Sequence, residues 1–183
     1  MDNEFTLIYG PMFAGKTSEL IVVYETYKDN AMCFKPLMDT RYKKGQLVSH
    51  DQYFAPCKLV TDPREMIHEI NEETAVVLID EIQFMDYDQV AKTITYFMDM
   101  GINVVAAGVD KNHMGVPFET VDRLSEWADN IYHLTSSCES CQKEAEYTVR
   151  RHGFDQNAEF LVGGVEAYKP LCEGCFRKHL ISI

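Results

Sequence analysis

No apolar run in this 183-residue chain reaches the roughly 20 residues that a membrane-spanning helix needs. The opening residues Met1-Asp2-Asn3-Glu4 are acidic where a secretory signal would carry positive charge ahead of an apolar segment. Basic residues are scarce as well: 17 Lys and Arg stand against 29 Asp and Glu, a formal net charge of −12. Broad nucleic-acid binding needs a basic footprint, and this balance argues against one. There is no internal repeat and no low-complexity linker. What is left is a chain with 46% hydrophobic residues, long enough for one ordinary core and a small appendage. These absences lead us to expect a soluble, cytoplasmic small-molecule enzyme with neither membrane nor nucleic acid as partner.

What is present begins with Gly10-Pro11-Met12-Phe13-Ala14-Gly15-Lys16-Thr17, which reads G-x-x-x-x-G-K-T, the phosphate-loop pattern. The apolar run Phe5 to Tyr9 before it suits a buried strand. After it, from Ser18 to about Lys28, Leu20, Val23, Tyr24 and Tyr27 fall at helical spacing. Such a loop wraps a phosphate chain in backbone N–H groups at a helix N-terminus, where the dipole favours anions. Gly10 and Gly15 allow backbone geometry and close approach that a Cβ would hinder. Lys16 is expected on the β- and γ-phosphates and the Thr17 hydroxyl on Mg²⁺. A chance glycine-rich turn is the alternative; a strand before and a helix after count against it.

Further along, Ala31 to Phe34 reads as a second buried strand stopped by Lys35-Pro36. The polar stretch between Leu37 and Gln52 has no clear period, and loops of that length are usually functional or mobile. Pro63 to about Asn71 offers a short helix with proline at its start. Ala75 to Asp80 is an apolar, β-branched run ending in acid. Tyr87 to Met100 carries Val90, Ile94, Phe97 and Met98 on one helical face, with Gly101 as its stop. Asn103 to Gly108 is another buried strand. Strands alternating with helices imply a parallel sheet with helices on both faces, the P-loop α/β architecture.

Asp80-Glu81 supplies the second half of a site. A carboxylate at the end of a neighbouring strand suits Mg²⁺ beside the phosphates, and Asp80 fits that role. A second carboxylate, Glu81, can take a proton from an attacking hydroxyl. The bland alternative is a solvated strand end. Near the C-terminus, Cys138-Glu139-Ser140-Cys141 and Cys172-Glu173-Gly174-Cys175 form two C-x2-C pairs separated by 30 residues. Two such knuckles make a closed, structural Zn²⁺ site of four thiolates; disulfides compete but suit an oxidising compartment. The spacing exceeds that of an ordinary ribbon, so the intervening segment is expected to make an excursion. Residues 136–183 hold six Lys and Arg against seven Asp and Glu, too little basic excess for a nucleic-acid ribbon. Cys33 and Cys57 read as core thiols. We divide the chain into a P-loop α/β domain, 1–135, and a zinc ribbon, 136–183.

Taken in order, these segments resemble the type II (cytosolic, zinc-containing) thymidine kinases. The resemblance rests on the phosphate loop, Asp39-Thr40-Arg41-Tyr42, Ser49-His50-Asp51, Asp80-Glu81-Ile82-Gln83-Phe84, Gly115-Val116-Pro117-Phe118, the cysteine pairs and Val162 to Tyr168. It implies γ-phosphoryl transfer from ATP to the 5′-hydroxyl of a deoxypyrimidine nucleoside, usually thymidine, within DNA-precursor salvage. It implies Glu81 as general base, Lys16 on the phosphates, and Arg41 close to the transferring phosphoryl, where a guanidinium neutralises developing charge. Residues Phe160 to Tyr168 match the family's lasso, a loop that closes over the nucleoside and that zinc staples at both ends. Tyr168 matches a tyrosine packed on the nucleoside, Met12 and Thr148 match residues around the 5-methyl group, and Phe84 and Phe118 match aromatic walls. Asp39, Val109, Leu161 and Gly163 complete the implied nucleoside contacts. By residue type alone, the apolar ones among these are equally plain core. Family members are typically homotetramers inhibited by the end-product triphosphate.

The segment Asp110 to Gly115 departs from the family. His113 stands where an aromatic, often phenylalanine, is common, and Met114 where many bacterial members have arginine. Histidine is smaller and more polar and can donate a hydrogen bond, so deoxyuridine or 5-substituted analogues enter the expected range; a drifted loop that still packs on the base is the alternative. Two other classes suit the sequence less well. An ATP-driven nucleic-acid remodelling module needs a basic surface that the charge argues against. A catalytically silent nucleotide-binding protein sits poorly with Lys16, Thr17, Asp80 and Glu81 together.

Overall fold

The computed structural model describes residues 3–38, 45–48, 54–155, 161 and 163–182. Strands β1 (Phe5–Gly10), β2 (Ala31–Pro36), β3 (Gln46–Val48), β4 (Phe54–Pro56), β5 (Lys58–Val60), β6 (Val76–Ile79), β7 (Asn103–Val109) and β8 (Asn130–His133) come first in the chain. Six of them form one sheet in the order β5-β2-β6-β7-β1-β8, parallel throughout. Helices α1 (Lys16–Tyr27), α2 (Tyr87–Asp99) and α3 (Glu119–Ser125) connect them, and β3 and β4 pair antiparallel apart from the sheet.

A parallel sheet covered on both faces needs strands that are apolar at every position, and all four residues of β6 are buried. Val77 and Ile79 enter one core with Val90, Ile94 and Phe97 of α2 and Leu124 of α3. Val76 and Leu78 enter a second with Leu20 and Ile21 of α1. This is the expected P-loop α/β arrangement, helices on both faces included. Helix α2 starts at Asp86, whose carboxylate accepts from the Gln89 N–H at 3.0 Å, and ends against Gly101 in the left-handed region at φ 89°, as a glycine stop should.

Three boundaries move. Strand β2 does not stop at Lys35 but runs through Pro36, with Pro36 opposite Val60. Proline lacks a donor, but the pairing of β2 with β6 ends at Phe34, so Pro36 sits as in an edge strand, where that omission is tolerated, and the Leu37 N–H resumes pairing with the Val60 carbonyl at 2.8 Å. The helix expected over Pro63 to Asn71 is a 3-10 turn, Pro63–His68, capped by Asp62. Helix α1 begins at Lys16, two residues before the apolar period does.

The rest of the chain is smaller in scale. Strands β9 (Ser136–Ser137) and β10 (Glu144–Ala145) form one antiparallel pair, β11 (Tyr147–Arg150) and β12 (Tyr168–Leu171) another, and α4 (Glu173–Ser182) follows. Cys138, Ala145, Val149, Leu171 and Phe176 make a core of their own, and Tyr147 stacks on Phe176 at 4.2 Å. Among the described residues, no helix is long and apolar enough to cross a membrane.

Candidate active site

Every strand of the main sheet points its C-terminal end the same way, so the segments after β1, β6 and β7 meet at one edge, where open α/β sheets bind ligands. The phosphate loop leaves β1 through Gly10 at φ 146°. A Cβ there would lie 2.0 Å from the Leu134 carbonyl oxygen, so only glycine lets the loop pass under the segment after β8. Phe13 and Gly15 are also left-handed, at φ 66° and 88°, and Gly15 is the N-cap of α1. The buried Lys16 ammonium lies across the loop, donating to the carbonyls of Gly10 at 3.0 Å and Pro11 at 2.6 Å. Pro11 is buried, while Met12, Phe13 and Ala14 remain half-buried on the same loop.

At the end of β6 the Thr17 hydroxyl donates to Asp80 Oδ2 at 3.2 Å. Two oxygens about that far apart fit adjacent positions on an octahedral ion with bonds of about 2.1 Å, so this donor pair suits Mg²⁺. Asp80 Oδ1 accepts from the Glu81 N–H at 3.0 Å. Glu81 itself is buried and left-handed, φ 53° and ψ 39°, and its side chain meets the amide of Gln83 at 2.5 Å. The structure thus brings Lys16, Thr17, Asp80 and Glu81 to one place.

The four cysteines also converge. The sulfurs of Cys138, Cys141, Cys172 and Cys175 lie within 4.8 Å of one another, with Cys141 and Cys172 at 3.5 Å. Tetrahedral zinc with Zn–S bonds of about 2.3 Å needs sulfurs about 3.8 Å apart, so the cluster is compatible with a structural zinc. Burial raises the Cys138 thiol, but backbone N–H groups of Cys172, Ser140 and Cys141 outweigh it and hold the group at about 6. Cys175, hydrogen-bonded to Cys172 and partly desolvated, is pushed up to about 12. N–H groups aimed at a sulfur are what a thiolate ligand needs.

A family model described as thymidine kinase matches residues 3–176, nearly the whole chain. The chain belongs to the thymidine kinase family. It is accordingly a phosphotransferase, and membership implies ATP and thymidine as its substrates.

Within the kinase, the residues matched to the nucleoside pocket fall into small groups. The Met12 N–H donates to the buried Thr148 hydroxyl at 2.8 Å, which ties the phosphate loop to β11. The Ser136 hydroxyl adds a second tie, to the Phe13 carbonyl at 3.2 Å. Phe84 and Phe118 meet edge to face with ring centroids 6.3 Å apart, and Phe84 also borders a cleft of about 440 Å³ beside Met38, Thr61 and Gln89. Tyr168 is buried, and its hydroxyl donates to the Leu161 carbonyl at 2.6 Å. Gly163 is buried where a Cβ would meet that of Ala167 at 2.7 Å. Val109 ends β7, its N–H on Gln83 Oε1 at 3.0 Å. His113 is buried in the turn after β7. Asp39, Arg41 and Phe160 lie outside the described residues.

Two residues that the sequence reading passed over matter here. Gln83 bridges Glu81 and Val109; an amide two places beyond the acid in one turn was the available signal. Arg150, only 1% exposed, donates to the Asp155 carbonyl at 2.7 Å and lies 3.4 Å from the Tyr168 hydroxyl. No local pattern distinguishes it from an ordinary strand arginine.

Proposed function

We propose that the kinase transfers the γ-phosphoryl of ATP to the 5′-hydroxyl of thymidine, with deoxyuridine and 5-substituted deoxypyrimidine nucleosides as further acceptors. The observation that carries this reading is the Thr17–Asp80 pair at the mouth of the phosphate loop, with the Glu81 carboxyl next in chain. Gly10 to Thr17 cradle the triphosphate and Lys16 turns its ammonium from loop carbonyls to phosphate oxygens. Thr17 and Asp80 hold Mg²⁺, which when bound neutralises charge on the β- and γ-phosphates. Glu81 accepts the 5′-hydroxyl proton as that oxygen bonds to the γ-phosphorus and the bond to the ADP oxygen breaks. Arg41 neutralises charge on the moving phosphoryl, an assignment taken from the family resemblance.

Met12, Phe84, Val109, His113, Phe118, Thr148 and Tyr168, together with Asp39 and the segment around Phe160, Leu161 and Gly163, form the nucleoside pocket in this reading. Cys138, Cys141, Cys172 and Cys175 hold Zn²⁺ and staple a ribbon domain, 136–183, onto the catalytic domain, 1–135. By the same resemblance the enzyme is a cytoplasmic homotetramer.

A phosphoryl-transfer assay with ATP and Mg²⁺ across a panel of deoxynucleosides tests this. Thymidine should be the best acceptor, deoxyuridine and 5-substituted analogues should follow, and purine deoxynucleosides should be poor. Transfer to none of them would point to a silent nucleotide-binding protein. ATP hydrolysis that requires nucleic acid would point to a remodelling module.

A further inference from the structure

The turn after β6 folds one side chain back onto the proposed base. Glu81 is left-handed, and the Phe84 and Met85 N–H groups close a 3-10 turn on the carbonyls of Glu81 and Ile82 at 3.1 and 3.0 Å. Gln83, in the middle of that turn, is buried at 7% exposure. Its Nε2 donates to Glu81 Oε2 at 2.5 Å, and its Oε1 accepts from the Val109 N–H at 3.0 Å. The orientation of the amide follows from chemistry: a backbone N–H can only donate, so the amide oxygen must face Val109 and the NH₂ is left for the carboxylate. Val109 is the last residue of β7, which lies directly beside β6 in the sheet. The Glu81 carboxylate is therefore referenced to the backbone of the neighbouring strand.

Gly108 makes room for this arrangement. A Cβ on it would lie 2.8 Å from Gln83 Oε1 and 2.9 Å from Ile82 Cγ2. A glutamate has three rotatable side-chain bonds, whereas a general base must keep one oxygen within hydrogen-bond reach of the proton it takes. Misplacement by about 1 Å can cost about 10²-fold in rate.

We propose that Gln83 is a positioning residue that aims the Glu81 carboxylate at the acceptor hydroxyl; this rests on the reading of Glu81 as the base. The amide donor fixes Glu81 Oε2 and with it the plane of the carboxylate, while Val109 keeps the amide from turning.

The test is a cycle of Glu81→Gln, Gln83→Met and the double variant, read as kcat and KM for ATP and thymidine, with thermal melting of each. Glu81→Gln alone reports on the base: turnover should fall about 10²–10⁴-fold. Gln83→Met fills similar volume without a donor, and should lower kcat about 10- to 10²-fold with KM for ATP unchanged. In the Glu81→Gln background it should cost no further turnover, because there is no carboxylate left to aim. Gln83→Glu retains an acceptor for the Val109 N–H but sets a second carboxyl against Glu81 in place of the amide donor, so kcat should fall and its acid limb should move to higher pH as the two carboxyls share a proton; it carries the test if Gln83→Met melts early. An equal loss from Gln83→Met in both backgrounds would overturn the inference. So would normal kcat in Gln83→Met and Gln83→Glu while Glu81→Gln is slow, which leaves the base standing. Normal turnover in Glu81→Gln would remove the base reading itself and the inference with it.

Discussion

His113 shows how a departure from the family pattern sits in the fold. The Asn112 carboxamide accepts from the Met114 and Val116 N–H groups at 2.9 and 3.0 Å, and Gly115 packs so closely that a Cβ would stand 2.9 Å from the Phe176 ring. The turn carrying His113 is thus held by its own hydrogen bonds and by α4, and the imidazole within it is buried. If this ring faces the base, His113→Phe should shift preference towards thymidine over a polar 5-substituted analogue by about 1–3 kcal/mol, with the ATP constant little changed. The ratio of the two kcat/KM values measures it; an unchanged ratio makes His113 a packing residue. The thiols Cys33 and Cys57 illustrate the opposite case. Read as core from the sequence, both are buried with sulfurs 3.2 Å apart, and burial pushes the Cys33 thiol well up.

At the scale of elements, the β1–loop–α1 unit carries the most information and the most constraint. A Cβ on Gly10 would stand 2.0 Å from the Leu134 carbonyl oxygen, and the residue is at φ 146°, with backbone rather than a flexible side chain as the obstacle. Gly10→Ala should therefore destabilise the protein by about 3 kcal/mol and raise KM for ATP, since the loop must shift away from Leu134. Urea unfolding checks the first and steady-state kinetics the second; an unchanged unfolding midpoint would mean that the close approach is not a constraint. Elements with a long apolar period, such as α2 and β7, were legible because core burial imposes the period. Strands β5 and β8 were not: β5 has three residues and β8 has three exposed ones out of four, so pairing with the sheet, not apolar content, makes them strands.

At the scale of the molecule, the main sheet and the smaller C-terminal core are tied by hydrogen bonds between Met12 and Thr148 and between Phe13 and Ser136, and by the close approach of Gly115 to Phe176. The four cysteines bracket the segment between them; Cys138 is in the smaller core, Cys172 and Cys175 pack against it, and Cys141 is exposed. Freshly purified, reduced protein should hold about one Zn²⁺ per chain, as four-cysteine sites do. Its removal by a chelator should raise hydrogen exchange in β11, β12 and α4 far more than in β1 and α1. Elemental analysis without zinc, or uniform loosening of both parts, would contradict this.

The sequence by itself determined what depends on spacing along the chain. The phosphate loop, the acidic pair after β6 and the paired cysteines are short motifs whose chemistry requires adjacent residues, and the parallel sheet follows from apolar runs alternating with helical ones. Tertiary structure decided what depends on residues far apart in the chain. That the Thr17 hydroxyl meets Asp80, that Thr148 holds the phosphate loop, and that Gln83 ties Glu81 to Val109 are contacts across 63, 136 and 26 positions. No local period encodes them. They exist because β1, β6 and β7 end at one edge of a parallel sheet and the ribbon docks across that edge, which brings polar groups distant in the chain within hydrogen-bond reach.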